Sequence, residues 1–308
     1  MAINESEVIE LLAGIFASSD QRLLLGIGDD AAIVTGFARQ ILTTDIAVEG
    51  IHFKSDWSSP YEIGARVAKA NIADVLSMNG RCDYLLVAAS LTGRETLEWI
   101  GQLAQGIADV AREFGAIVVG GDISQSPTLQ IAITAVGHTE NPVTRSGAKV
   151  GDSIYLSSLT GWSSAGLSIL SQGLSAHSDI AAQALAQYRN PTIDSQIDFS
   201  KAHAMADVSD SLLIQGGQIA KASGVAFRIE LELIEGAEGF ARLSKLADDS
   251  KCDIWQWILA GGEDHVLLAT GRDLPGICIG QVVAGSGISL HDASGNEKVA
   301  PVSWSHFS

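Results

Sequence analysis

The sequence predicts a mixed α/β protein built as two domains. Three observations predict it. The chain has 308 residues, which suits two domains of about 150 residues each. Short apolar runs of strand type are interleaved with longer stretches of helical periodicity, without strict alternation, as expected of mixed sheets covered by helices. The texture then changes over residues 141–152, NPVTRSGAKVGD, where Pro, Gly and charge cluster as they do at a domain junction. The expected domains are residues 1–144 and 145–308.

The elements follow in chain order. Val8, Ile9, Leu11, Leu12 and Ile15 fall at helical spacing between Glu5 and Ala17. Residues 23–34, LLLGIGDDAAIV, read as two short apolar runs around a Gly-Asp turn, and Gln40–Asp45 as a strand ending in polar residues. Ser58-Ser59-Pro60 is a helix start, with a serine cap and Pro in the first turn; that helix should run to about Met78. A buried strand at Tyr84–Leu91, a long helix at Thr96–Phe114, a strand at Ala116–Val119 ending in Gly120-Gly121-Asp122, and a strand at Leu129–His138 complete the first domain. The second is expected to hold strands at 153–157, 203–208, 225–232, 265–269 and 277–283, and helices at 161–172, 179–188 and 209–223.

Composition excludes several classes. Acidic residues outnumber basic ones 36 to 19, a formal charge of −17, and no basic run offers the phosphate neutralisation that nucleic acid requires. No nucleic-acid partner is expected. No apolar stretch approaches the length of a membrane span, and the opening MAINESEVIE has neither the basic nor the apolar region of a secretory signal; no membrane partner is expected. Cys82, Cys252 and Cys278 are far apart, with no metal-type spacing. They read as buried thiols in a reducing cytoplasm.

Aspartates recur beside glycines and at the ends of expected strands. Asp29 and Asp30 follow Gly28, and Asp45 follows Thr43-Thr44. Asp122 follows two glycines, and Asp207 and Asp210 bracket an expected helix start at Ser209. Asn71 and Asp74, three apart, share one face of the helix beginning at Pro60. A single such Asp is usually a turn former or a cap. The repeated pattern suits another chemistry. Mg²⁺ takes oxygen ligands and is held by one or two carboxylates plus substrate phosphates, glycines admit phosphate close to the backbone, and a helix N-terminus offers N–H groups to an anion. There is no GxxxxGK[ST] loop and no protein-kinase motif set. If ATP is used, metal ions and isolated basic residues must hold its phosphates.

Eight segments carry a resemblance: GIGDDAAIV (26–34), TTDIAVEGIHF (43–53), KANIADVLSMNG (69–80), GGD (120–122), RSGAKVGD (145–152), ADVSDSL (206–212), GGEDHVLL (261–268) and WSHF (304–307). Their order over nearly the whole chain resembles the thiamine-monophosphate kinases, within the superfamily of aminoimidazole ribonucleotide synthetase. The resemblance implies a two-domain fold of that synthetase type, with an N-terminal ATP- and metal-binding, dimerising domain and a C-terminal α/β domain. It also implies a homodimer and transfer of the γ-phosphoryl of ATP to thiamine phosphate, with several Mg²⁺ ions. By position it makes Asp30, Thr43, Thr44, Asp45, Asp74, Asp122, Asp207 and Asp210 metal ligands, gives Gly121, Asp122, Arg145 and Ser209 to ATP, and gives His52, Glu263 and Trp304 to thiamine phosphate. No side chain is assigned a covalent catalytic role.

The chain departs from the family pattern at Ala73 (usually Ser), Ser211 (usually Gly) and His265 (usually Tyr). The other histidines, His265 included, show no ligand spacing and receive no role. Two alternatives stay open: a related ATP-dependent synthetase of the superfamily, and a non-catalytic nucleotide-binding protein on the same scaffold. A selenophosphate synthetase would be expected to carry a reactive Cys and Lys near its N-terminus, and the opening residues have neither.

Overall fold

The computed structural model describes residues 5–27, 32–173 and 178–303. It divides into two compact units: the chain up to Leu76 with Gly80–Glu140, and Ser77–Asn79 with the chain from Asn141 onwards.

In the first unit, helix α1 (Glu5–Ile15) precedes a small hairpin, β1 (Leu23–Leu25) and β2 (Ile33–Val34). Then come β3 (Gln40–Val48), α2 (Pro60–Ser77), β4 (Arg81–Leu91), α3 (Leu97–Glu113), β5 (Ile117–Gln125) and β6 (Gln130–His138). Reciprocal capping opens α2: the Ser59 amide donates to Glu62 Oε2 at 2.7 Å and the Glu62 amide to Ser59 Oγ at 3.3 Å. Thr96 caps α3 by accepting the Trp99 N–H. The four long strands form one sheet in the order β3-β6-β4-β5, antiparallel except for the β4–β5 pair.

Alternation along β6 decides what each face does. Ile131, Ile133 and Ala135 are fully buried on one face. The opposite face carries Leu42 at 67 %, Ile46 at 51 % and Leu86 at 39 % exposure. One end of that open face is covered by the hairpin, whose Leu23 and Val34, with Ala32 beside them, pack on Tyr84, Val119 and Val136. Arg22 ties the hairpin down. Its guanidinium reaches Asp20, the buried Asp83 and the Gly115 carbonyl at 2.8–2.9 Å, and His138 also meets Asp83, at 2.6 Å.

The second unit contains β7 (Ser153–Leu156), α4 (Trp162–Gln172), α5 (Asp179–Arg189), β8 (Ala204–Val208), α6 (Leu212–Ser223), β9 (Ala226–Glu230), α7 (Leu231–Glu235), α8 (Phe240–Ser250), α9 (Ile254–Ala260), β10 (Val266–Gly271), β11 (Ile277–Val283), β12 (Gly287–His291) and β13 (Glu297–Lys298). Its seven-stranded sheet has the order β13-β12-β9-β11-β7-β10-β8, with only β12–β9 parallel. The core joins Ile154, Leu156, Ile219, Phe227, Leu243 and Leu268.

Three expectations change. Strands β3 and β5 run on past their motifs, so Asp45 and Asp122 lie inside strands and not at their ends. The cause is visible in the residues that follow: Ile46-Ala47-Val48 continue the apolar register of β3 against β6. Helix α6 begins at Leu212 with Ser211 as its cap, so Ser209 and Asp210 form the turn before the helix. The region 231–260, where no helix is expected, holds three, because a buried set of Leu243, Leu246 and Ala247 at helical spacing packs into the core.

Candidate functional site

In the first unit the acidic residues ride on regular structure. Thr43 and Asp45, two apart on β3, share a face of the strand, and α2 packs beside them. Thr43 Oγ1 donates to Asp74 Oδ2 at 2.6 Å. The Asp45 amide donates to Asn71 Oδ1 at 3.0 Å, while Asn71 Nδ2 donates to the Val67 carbonyl at 2.9 Å. Asn71 is fully buried, so both of its ends are assigned by their partners. The three-residue spacing of Asn71 and Asp74 thus aims both at β3.

Thr44 is not part of this group. It lies between Thr43 and Asp45, so its side chain leaves the opposite face, where its hydroxyl donates to the Ile133 carbonyl and accepts from Thr134. Period-two alternation separates neighbours that the sequence motif joins.

Asp122 is also apart from the group. β5 and β3 are the two outer strands of the sheet, about 14 Å from each other at ordinary strand spacing. Gly121 and Asp122 line an apolar cavity of about 770 Å³ with Leu42, Leu86, Ala88 and Thr134, within the range of small-molecule sites. Gly121 has a packing reason to be glycine: a Cβ there would sit 1.8 Å from the Val87 carbonyl oxygen.

His52 follows β3 in a tight turn. Its Nδ1 accepts the Val48 N–H at 3.1 Å, so the neutral ring carries its proton on Nε2.

In the second unit the site is made of loops. Asp207 is the last but one residue of β8 and is buried. The segment 261–265, just before β10, packs directly on the 207–210 turn. The Glu263 amide donates to the Ser209 carbonyl at 2.6 Å and the His265 amide to the Val208 carbonyl at 3.2 Å. Gly262 permits this approach: a Cβ would lie 2.3 Å from the Ser209 oxygen and 2.6 Å from the Asp210 oxygen. Glu263 and His265 both adopt positive φ, +66° and +52°, a conformation that side-chain-bearing residues adopt rarely. Buried Gln215 clamps the turn from α6. It accepts from the Ser211 amide at 2.9 Å and donates to Asp210 Oδ2 at 3.1 Å.

Asp264 anchors the loop from below. Its carboxylate accepts the Gly161 and Ser163 amides at 2.7 and 2.8 Å at the start of α4. Full burial pushes its pKa up to about 6, against the pull of those two donors. His265 was given no role by spacing, yet its ring meets the Asp207 carboxylate, Nδ1 to Oδ2 at 2.9 Å, with both side chains 3 % exposed. The only hint in the sequence is its place directly after Gly-Gly-Glu-Asp.

The structure therefore brings together Thr43, Asp45 and Asp74 in one unit, and Asp207, Ser209, Asp210 and Glu263 in the other. Arg145 is exposed, and its neighbour Thr144 pairs through its carbonyl with Met205, at the start of β8 and away from the 207–210 turn. Asp30 and Trp304 lie outside the described residues. The described chain ends near the second group, where Ser211 Oγ donates to Ser303 Oγ at 3.1 Å. Among the described residues no three acidic, His or Cys side chains close on a ready-made cation cage. Oxygen-only donors arranged in ones and twos fit Mg²⁺, which completes its shell with water and phosphate.

Residues 28–139 match the family profile "AIR synthase related protein, N-terminal domain". The chain is similar to thiamine-monophosphate kinase of Mycobacterium tuberculosis, 34 % identical over 250 residues, 80 % of this chain and 74 % of the relative. Two solved structures share the fold. The crystal structure of thiamine-monophosphate kinase from Stenotrophomonas maltophilia K279a has a TM-score of 0.80 at 26 % identity, covering 97 % of this chain and 99 % of that one. AaThiL complexed with AMPPCP and TMP has a TM-score of 0.79 at 29 % identity, covering 98 % and 97 %.

Proposed function

This chain belongs to the thiamine-monophosphate kinase family, and from that membership we propose that it transfers the γ-phosphoryl group of ATP to the phosphate of thiamine phosphate, giving thiamine diphosphate and ADP. The observation that carries this reading is the packing of the 261–263 loop on the 207–210 turn, which sets residues assigned to metal and nucleotide against one assigned to the acceptor. A relative of the same fold holding AMPPCP and TMP together supports a two-substrate transfer.

An oxygen of the acceptor phosphate attacks the γ-phosphorus in line, and the bond to the bridging oxygen breaks as ADP leaves. The acceptor phosphate has a second pKa near 6, so it is largely dianionic at neutral pH and needs no general base. The obstacle is repulsion between two anions. Bound Mg²⁺ supplies the charge neutralisation that lets them meet. Several Mg²⁺ ions are proposed, and Asp30, Thr43, Asp45, Asp74, Asp122, Asp207 and Asp210 are the residues we assign among them. Thr44, by its direction, supports Thr134 and the sheet instead. Arg145, Gly121 and Ser209 are assigned to the nucleotide. Arg145 offers a fork of donors to phosphate oxygens, and Ser209 sits in the turn that Gln215 holds. His52 presents Nε2–H to the acceptor phosphate. Glu263 answers the positive thiazolium, and Trp304 is assigned to the same substrate. The test is ATP consumption with thiamine phosphate beside thiamine and aminoimidazole precursors. Turnover with thiamine phosphate alone is expected; turnover with plain thiamine alone would overturn the acceptor assignment.

A homodimer is part of the proposal. The open face of the β3-β6-β4-β5 sheet exposes Leu42, Ile46 and Leu86, and such a face is ordinarily covered. Leu42→Glu should shift the chain from dimer to monomer in light scattering; a monomeric wild type would refute this pairing. The thiols of Cys82, Cys252 and Cys278 are free, in keeping with a cytoplasmic protein, and among the described residues no helix is long and apolar enough to cross a membrane.

A further inference from the structure

We propose that His265 is a positioning residue that fixes the carboxylate of Asp207 for cation binding; the inference rests on the reading of Asp207 as a magnesium ligand. The ring is held from several sides. Its backbone is fixed by the His265 amide bond to Val208 and by a φ of +52°. The loop before it is pressed on the turn by the Glu263–Ser209 bond and the bare Cα of Gly262. From there Nδ1 reaches Asp207 Oδ2 at 2.9 Å, and both side chains are 3 % exposed. An ionised carboxylate only accepts, so Nδ1 is the donor. A buried carboxylate held at one oxygen by a rigid donor keeps a single orientation, and its other oxygen keeps a single direction. Donors behind a ligand commonly set its orientation and basicity in this way.

The same ring faces the acceptor side. His265 Nε2 lies 3.9 Å from Glu263 Oε2, too long for a hydrogen bond but close enough for the ring to be a rigid spacer between the two carboxylates. His265 therefore fixes Asp207 by a bond and sets its separation from Glu263 by the width of an imidazole. The strain at two positive-φ residues within three positions is explained by this placement.

The test measures Mn²⁺ binding by electron paramagnetic resonance, as a stand-in for Mg²⁺, on the full chain with AMPPCP and without turnover. His265→Phe fills the space but removes the donor, and should weaken Mn²⁺ binding by about tenfold or more. His265→Asn keeps an N–H close to the Nδ1 position and should bind Mn²⁺ much nearer to wild type than His265→Phe does, because the orienting bond survives. His265→Gln carries its donor further out, should behave like His265→Phe, and serves if the phenylalanine variant does not fold. Thermal midpoints report folding separately. Wild-type binding in both His265→Phe and His265→Gln, alongside lost binding in Asp207→Asn, would overturn the positioning role while leaving Asp207 a ligand. Binding as weak in the asparagine variant as in the other two would reduce His265 to packing and also overturn it. Unchanged binding in Asp207→Asn would remove the ligand reading and the inference with it.

Discussion

The two acidic groups are built in opposite ways. The first stands on a strand and a helix. Thr43, Asp45, Asn71 and Asp74 sit at positions that strand and helix periodicity place for free, and each hydrogen bond is a direct consequence of β3 lying beside α2. The second stands on two loops that regular structure does not fix. They are locked by buried polar groups: Gln215 on the 209–211 turn, Asp264 on the start of α4, and His265 on Asp207. A group built on periodic elements tolerates change around it. A group built on loops depends on every clamp, because a half-satisfied buried network is worse than none. Function should therefore fail by loss of ligands in the first unit and by loss of support in the second.

That contrast can be broken. The largest effect is expected at the ligands themselves. Asp45→Ala and Asp74→Ala should each lower kcat/KM by about 10²–10³-fold, the size seen when one preorganised electrostatic contact is removed, with thermal midpoints close to wild type. Ordinary turnover in either variant would reject its assigned role.

Next comes the anchor of the second group. The Asp264 carboxyl, raised from 3.8 to about 6 by burial, binds its proton more tightly folded than unfolded. Its contribution to stability is complete below about pH 4 and lost as pH rises through about 6. The stability of wild type relative to Asp264→Asn should fall by about 2–3 kcal/mol between those limits. A difference that is flat with pH in chemical denaturation would show that burial does not govern this carboxyl.

The smallest effects test strand alternation. Thr43→Val removes a hydroxyl that is assigned to the cation and bonded to Asp74; it should cost about 1 kcal/mol of stability and about tenfold of activity, less than an aspartate variant because a hydroxyl brings no charge to the ion. Thr44→Val, one residue on, should leave kcat/KM within about twofold, since its hydroxyl bonds to Ile133 and Thr134 within the sheet and not to Asp74. Equal losses in the two variants would mean that both threonines reach the site.

The sequence alone determined a good deal. Interleaved periodicities pointed to the mixed α/β class, the texture change over residues 141–152 to a domain junction, and the serine cap before Pro60 marked where α2 begins. The ordered motifs led to the family, because glycines and aspartates at set places are chemistry written in residue types. Local patterns could not show that Asp45 and Asp122 lie within strands, that Thr44 turns away from its neighbours, or that Asp122 is at the far edge of the sheet. They also hid the three helices between residues 231 and 260. Only the tertiary structure decided these, for strand pairing and burial are long-range. It also brought His265 to Asp207. A histidine 58 residues from Asp207 carries no local sign of its partner, and meets it only when β10 is laid beside β8.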